Sequence, residues 1–81
     1  MIIIHTNLDR YSSQDFPKKL QYVPRVGEFV ELTKEAQQKV SYPYPNKLQV
    51  TDVVHSETHV IVELWYSETQ LKLIRLNKKD L

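Results

Sequence analysis

This sequence has no cysteine and only one glycine. Without cysteine there is no disulfide, no thiol nucleophile and no cysteine-ligated zinc. A single glycine also argues against a glycine-rich phosphate loop and against flexible linkers. The sequence therefore excludes thiol chemistry and disfavours the common nucleotide-binding loops.

An excess of charge of one sign is missing too, because eleven Lys and Arg residues against ten Asp and Glu residues leave a formal charge of +1. The densest basic clusters are the pairs Lys18–Lys19 and Lys78–Lys79. Release of counterions from a nucleic acid needs several clustered basic side chains. We therefore interpret both pairs as solvated surface.

Long apolar runs are absent as well. The isoleucines at residues 2–4 form too short a run for the core of a signal peptide or for a membrane-spanning helix. A cytosolic location is therefore expected. A chain of 81 residues predicts one domain, residues 1–81, with a thin core.

Short stretches of alternating apolar residues are what the sequence does contain. They predict strands at residues 1–6, 20–23, 28–32, 47–55 and 59–66. In the last of these, the even-numbered residues from Val60 to Tyr66 fall on one face and the odd-numbered residues on the other. The adjacent valines Val53 and Val54 indicate a bulge near Thr51–Asp52. These strands predict a curled antiparallel sheet or a small closed barrel, which would have no open edges.

Two segments interrupt the β pattern. Residues 7–14 predict a short helix, ended by Phe16–Pro17. Residues 34–40 predict a two-turn helix with Thr33 as its N-cap, and residues 41–46, SYPYPN, predict an extended, polyproline-like path. The tyrosines of that path are either a recognition surface or a cover for the mouth of a barrel, and we favour the cover.

The letters SET occur twice, at residues 56–58 and 67–69. The first copy lies between valine-rich runs and predicts a hairpin turn. The second either turns again or begins a helix, since Ser67 and Gln70 fit a capping box. Apolar residues from Leu71 onward do not form one face of a helix, so we favour a strand at residues 71–77. The repeat is then the spacing of a β-meander, with no duplicated site.

Residues 23–30, VPRVGEFV, are followed at residues 48–64 by alternating valines and leucines. This pattern resembles a group of small bacterial and phage single-domain proteins with the motif P-R-V-G-[DE]-x-V. The resemblance covers residues 20–65 and implies a small SH3-like β-barrel of five or six strands, without an assigned function. The insert at residues 34–46 and the polar stretch at residues 7–19 depart from the pattern.

Patterns for catalysis and metal binding are weak. No serine lies in a G-x-S-x-G elbow, and the carboxylates occur singly along the chain, so a non-enzymatic protein without a cofactor is expected. His55, Glu57 and His59 are residue types that bind metal, but they flank a turn and lack the helical spacing of zinc proteases. We predict no metal site, with a pair of histidines meeting across the hairpin as the alternative.

Large side chains on predicted surfaces indicate a partner. The candidate partner-binding residues are Tyr42, Tyr44, Lys47, Ile61, Trp65 and Lys72. Ile61 and Trp65 lie opposite the predicted core, so either the N-terminal segment or a second subunit covers them, and we favour the N-terminal segment.

The predicted function is a protein-interaction or assembly module that binds an unidentified protein or itself. The alternative is weak binding of single-stranded DNA or RNA by the aromatic and basic members of the candidate set. A membrane partner is not expected.

Overall fold

The computed structural model describes residues 1–78 and, of Lys78, only the backbone. Lys79 of the second lysine pair and Leu81 lie outside the described residues. The strands are β1 Ile2–Thr6, β2 Phe29–Glu31, β3 Lys47–His55 and β4 Val60–Trp65. They form one sheet in the order β1-β4-β3-β2, curled into a half-barrel. The prediction of a mostly-β fold is confirmed.

The sheet is mixed. Strand β3 is antiparallel to both β2 and β4, whereas β1 is parallel to β4, with Ile4 opposite Val62. Parallel neighbours need a long connection, and residues 7–59 supply it. The purely antiparallel arrangement predicted from the sequence is therefore wrong at β1. The described residues contain four strands in place of five or six, and β1 and β2 remain at opposite, unpaired edges.

One face of the sheet, called the inner face below, carries the core. Its buried side chains are Ile4, Val30, Leu48, Val50, Val62 and Leu64. The alternation predicted for residues 59–66 is confirmed, because Val62 and Leu64 are buried while Trp65 lies on the opposite, outer face.

The β3–β4 hairpin agrees with the sequence in two details. The register shifts between Val50 and Asp52, which confirms the predicted bulge. The first SET forms the turn, where the Ser56 N–H and Oγ both donate to the His59 carbonyl, at 2.8 and 2.9 Å.

The polar stretch after β1 differs from its prediction. It contains a 3-10 turn, Ser13–Asp15, in place of the short helix through Gln14. The Ser12 N–H donates to Asp15 Oδ2 at 2.9 Å, a local bond that competes with continued helix. No strand forms at residues 20–23, so that prediction is wrong.

Residues 7–24 cover the inner face. Tyr11 and Phe16 are buried in the core, and Leu8, Leu20 and Val23 pack against it. A sheet that is apolar on one face needs a second layer. This irregular segment supplies much of that layer.

Helix α1, Lys34–Gln37, is a single turn and shorter than the predicted helix at residues 34–40. Its N-cap is Thr33, as predicted, because Thr33 Oγ1 accepts a hydrogen bond of 3.2 Å from the Ala36 N–H. Ala36 is buried in the core, which places α1 over the inner face.

The segment at residues 41–46 is not extended, so its polyproline-like prediction is corrected. The Tyr44 N–H donates to the Ser41 carbonyl at 3.0 Å, and the Tyr42–Pro43 bond is cis. A closed turn, rather than a straight path, connects α1 to β3.

Helix α2, Glu68–Lys78, replaces the strand predicted at residues 71–77, which is wrong. The capping box forms: the Gln70 N–H donates to Ser67 Oγ at 3.2 Å, and the Ser67 N–H donates to Gln70 Oε1 at 2.9 Å. The apolar pattern predicted a strand because it lacked a continuous helical face. Helix α2 does not need one, since it buries Ile74 while Leu73 and Leu76 remain exposed. The two SET copies therefore have different structures, and the β-meander interpretation is wrong.

Within residues 1–78, we find no helix with the length and apolar character needed to cross a bilayer.

We predict that Ser67→Ala lowers the free energy of unfolding by about 1 kcal/mol, because it removes an N-cap acceptor. Ser56→Ala is the matched control from the other SET, where an exposed turn loses a hydroxyl bond. Urea denaturation of both variants measures the difference. Equal losses at the two positions contradict the capping role.

Candidate functional site

The predicted partner-binding residues lie on different elements and faces of the fold. Lys47, Ile61 and Trp65 lie on the outer face of the sheet. Tyr44 lies under Arg10, whose Cζ is 3.6 Å from the ring centre. Lys72 is exposed on α2.

The tyrosines of the SYPYPN segment separate. Tyr42 is 72% exposed, and its hydroxyl accepts a long hydrogen bond of 3.4 Å from Asn77 Nδ2 on α2. Tyr44 is half-buried. The two rings therefore do not form the joint cover that we favoured from the sequence, because Tyr42 faces solvent.

The outer face is not covered by the N-terminal segment, because β1 lies beside β4 instead of across it. Trp65 remains 39% exposed, so the cover that we favoured from the sequence does not form within the described residues. Trp65 pairs with Gln49, which pairs with Phe29, and the Lys47 ammonium lies 4.9 Å from the Phe29 ring centre. This arrangement gathers two exposed aromatic rings and one cation.

A polar contact between His5 of β1 and Glu63 of β4 lies on the outer face of the sheet. His5 Nδ1 lies 3.3 Å from Glu63 Oε1, and both side chains are substantially exposed. Exposed pairs of this kind contribute little to stability. The contact therefore places two polar side chains among the apolar side chains of the outer face.

The histidines of the hairpin stay apart from other ligands. His59 Nδ1 lies 3.0 Å from Thr58 Oγ1, and His55 is exposed at the end of β3. In the part of the chain that the structure describes, no three His, Asp or Glu side chains are placed to hold a metal ion.

Tyr11 is a buried ionisable group whose pKa is strongly raised. Burial, and then the neighbouring Tyr66, raise the pKa of its hydroxyl well above the usual range. The hydroxyl donates to the Pro45 carbonyl at 2.8 Å, and the ring contacts Tyr66 edge to face. Tyr11 therefore ties three distant segments together as a neutral phenol.

The free edge of β2 is the feature that sequence reasoning missed. The Val50 N–H donates to the Glu28 carbonyl, and the Leu32 N–H donates to the Asn46 carbonyl. Hydrogen-bonded pairs alternate along an antiparallel ladder. Phe29 and Glu31 lie between these pairs, so their N–H and C=O groups point away from β3.

These outward groups face an open channel, called the edge groove below. It has a volume of about 320 Å³. One wall is residues 28–32, and the other is Pro17, Leu20, Gln21, Tyr22 and Pro24. Residues 20–23, predicted as a strand, pass beside β2 without pairing with it.

Backbone hydrogen bonds flank the unpaired part of the β2 edge on both sides. At one end the Glu28 N–H donates to the Arg25 carbonyl at 3.0 Å, in a turn where Gly27 adopts a positive φ of 96°. At the other end the Thr33 N–H donates to the Asp15 carbonyl at 2.9 Å. The open length of the edge therefore corresponds to a few residues of extended chain.

Comparison of the chain with models of protein families, with curated proteins and with solved structures found no match.

Proposed function

We propose that this chain is a non-catalytic protein-interaction module, which holds an extended segment of a partner protein in the edge groove. The observation that carries the proposal is the pair of outward-facing residues on β2, Phe29 and Glu31, beside an apolar wall. Strand addition to an exposed sheet edge is an established mode of peptide recognition, in which main-chain bonds give affinity and side-chain pockets give specificity.

The geometry defines the chemistry of the partner segment. It has free N–H groups and so lacks proline at the pairing positions, because it must bond to the N–H and C=O of Phe29 and Glu31. Alternate side chains point to opposite faces of a strand. One set then lies against Leu20 and Pro24, which favours apolar residues, and the other lies beside Phe29 on the outer face.

Strand addition also gives a reason why the sheet of this chain stops at a half-barrel. A partner strand at β2 extends the sheet to the order β1-β4-β3-β2-partner. The chain then approaches the five-stranded, SH3-like barrel that the resemblance implies, and it does so with a strand from outside. We propose this completed arrangement as the functional state.

Binding of single-stranded nucleic acid is less well supported. Aromatic and basic residues must form one continuous surface for successive bases to stack. Tyr44 stacks against Arg10, whereas Lys47 lies against Phe29 on the outer face. The formal charge of +1 also supplies little attraction for a phosphate backbone.

Proline substitution at Glu31 tests the proposal. Linear peptides are first selected on the immobilised chain from a random phage-displayed library. We expect Glu31→Pro to weaken the selected peptides by about tenfold or more, because it removes the outward N–H that an added strand needs. The ladder to β3 stays intact, since Glu31 makes no ladder bond to Lys47.

Glu31→Ala is the matched control, because it removes the same side chain and keeps the N–H. Isothermal titration calorimetry measures affinity, and circular dichroism checks that both variants fold. If Glu31→Pro and Glu31→Ala bind the peptides equally well, strand addition at β2 is wrong.

A further inference from the structure

A second concave surface, called the tyrosine cleft below, lies away from the residues that line the edge groove. It is open to solvent on one side and has a volume of about 540 Å³. Its walls are Leu8, Asp9, Arg10, Tyr44 and Tyr66. None of these wall residues lines the edge groove.

Arg10 gives the cleft its chemical character. Its Cζ lies 3.6 Å from the centre of the Tyr44 ring, so the flat guanidinium face is occupied by the aromatic ring. No carboxylate among residues 1–78 forms an ion pair with it. A guanidinium that stacks through its face keeps its in-plane N–H fork for a planar or tetrahedral oxyanion.

The aromatic walls are held in place by a buried side chain. Tyr11 donates from its hydroxyl to the carbonyl of Pro45, directly after Tyr44, at 2.8 Å. The same ring contacts Tyr66 edge to face, with centroids 6.0 Å apart. Because Tyr11 is buried, it fixes the separation of the two walls before any ligand arrives.

From this geometry we propose that the tyrosine cleft binds a small ligand in which one oxyanion, phosphate or carboxylate, is attached to an aromatic ring. Arg10 binds the oxyanion, and Tyr66 and Leu8 contact the ring. Asp9 also lines the cleft and repels a second negative charge, so a ligand with one oxyanion group fits better than a polyanion. This proposal does not depend on the edge groove.

Nuclear magnetic resonance titration of the full chain tests the proposal with phenyl phosphate, benzoate and neutral benzyl alcohol. We expect the two anions to shift the Arg10 Nε–H and the amides of Tyr44 and Tyr66, and the alcohol to bind at least tenfold more weakly. The tighter of the two anions identifies the oxyanion that the cleft prefers.

Arg10→Met keeps an unbranched stem over Tyr44 and removes the guanidinium, so affinity for both anions falls by about tenfold or more. Arg75→Met, at an exposed position on α2, is the matched control and leaves affinity unchanged. Equal binding of the alcohol, unchanged affinity in Arg10→Met, or no shift with either anion at millimolar concentration overturns the proposal.

Discussion

Phe16→Ala is expected to lower the free energy of unfolding by about 3–5 kcal/mol, the usual cost of removing a fully buried phenylalanine. Only 1% of the Phe16 surface is exposed, although the residue lies in irregular chain between β1 and β2. A domain of this size has a total stability of about 4–12 kcal/mol. The substitution therefore removes a large part of what holds the protein folded, and urea denaturation measures it.

Phe29→Ala is the matched control, because the same ring is removed where it is 43% exposed on the outer face. Its expected loss is about 1 kcal/mol or less. If the two variants unfold at similar urea concentrations, residues 7–24 are not part of the core and the described packing of the inner face is wrong.

Phe16 also shows where sequence patterns stop being informative. Periodicity identifies elements whose neighbours are regular, and it located β2, β3 with its bulge, and β4. Phe16 has no periodic neighbours. Its burial depends on Val30, Leu48 and other residues far along the chain, and local sequence does not encode that distance.

Helix α2 shows a different failure, in which two local signals conflict. The capping box at Ser67 and Gln70 indicated a helix, and the scattered leucines indicated a strand. The capping signal was correct because α2 needs only a narrow contact: Gln70 Nε2 donates to the Lys47 carbonyl, and Ile74 is buried. A helix at the margin of a small domain does not require a wide apolar face.

The candidate site was predicted least well, and the reason is physical. Sequence reasoning selects side chains, so it selected Trp65 and the SYPYPN tyrosines. The groups on which the proposed function depends are the backbone N–H and C=O of Phe29 and Glu31, which every non-proline residue carries. Whether they are free depends on which strand lies at the edge, and that is a property of topology.

Tyr11 provides the second large effect, which depends on pH. Its pKa is raised in the folded protein above the ordinary tyrosine value of about 10, chiefly by burial. The folded state therefore keeps the phenol proton that the unfolded state releases. The resulting stability is fully present below pH 10 and is lost as the pH rises further, at up to about 1.4 kcal/mol per pH unit.

We expect Tyr11→Phe to destabilise the protein in neutral solution and to stabilise it in alkaline solution. Near pH 8 the variant lacks the bond to the Pro45 carbonyl, so its free energy of unfolding is lower by about 1 kcal/mol. By pH 11.5 the parent has lost about 2 kcal/mol through the ionisation of unfolded Tyr11, a loss that phenylalanine cannot suffer. The variant should then be the more stable protein.

Urea denaturation of the parent, Tyr11→Phe and Tyr22→Phe at both pH values tests this reversal. Tyr22 is an exposed tyrosine in the wall of the edge groove, and it controls for the loss of a surface hydroxyl. Lysine ionisation affects all three proteins alike, so it cancels in the differences. Parallel curves for the two variants would mean that Tyr11 ionises freely in the folded chain. The bond to Pro45 and the fixed walls of the tyrosine cleft would then have to be abandoned together.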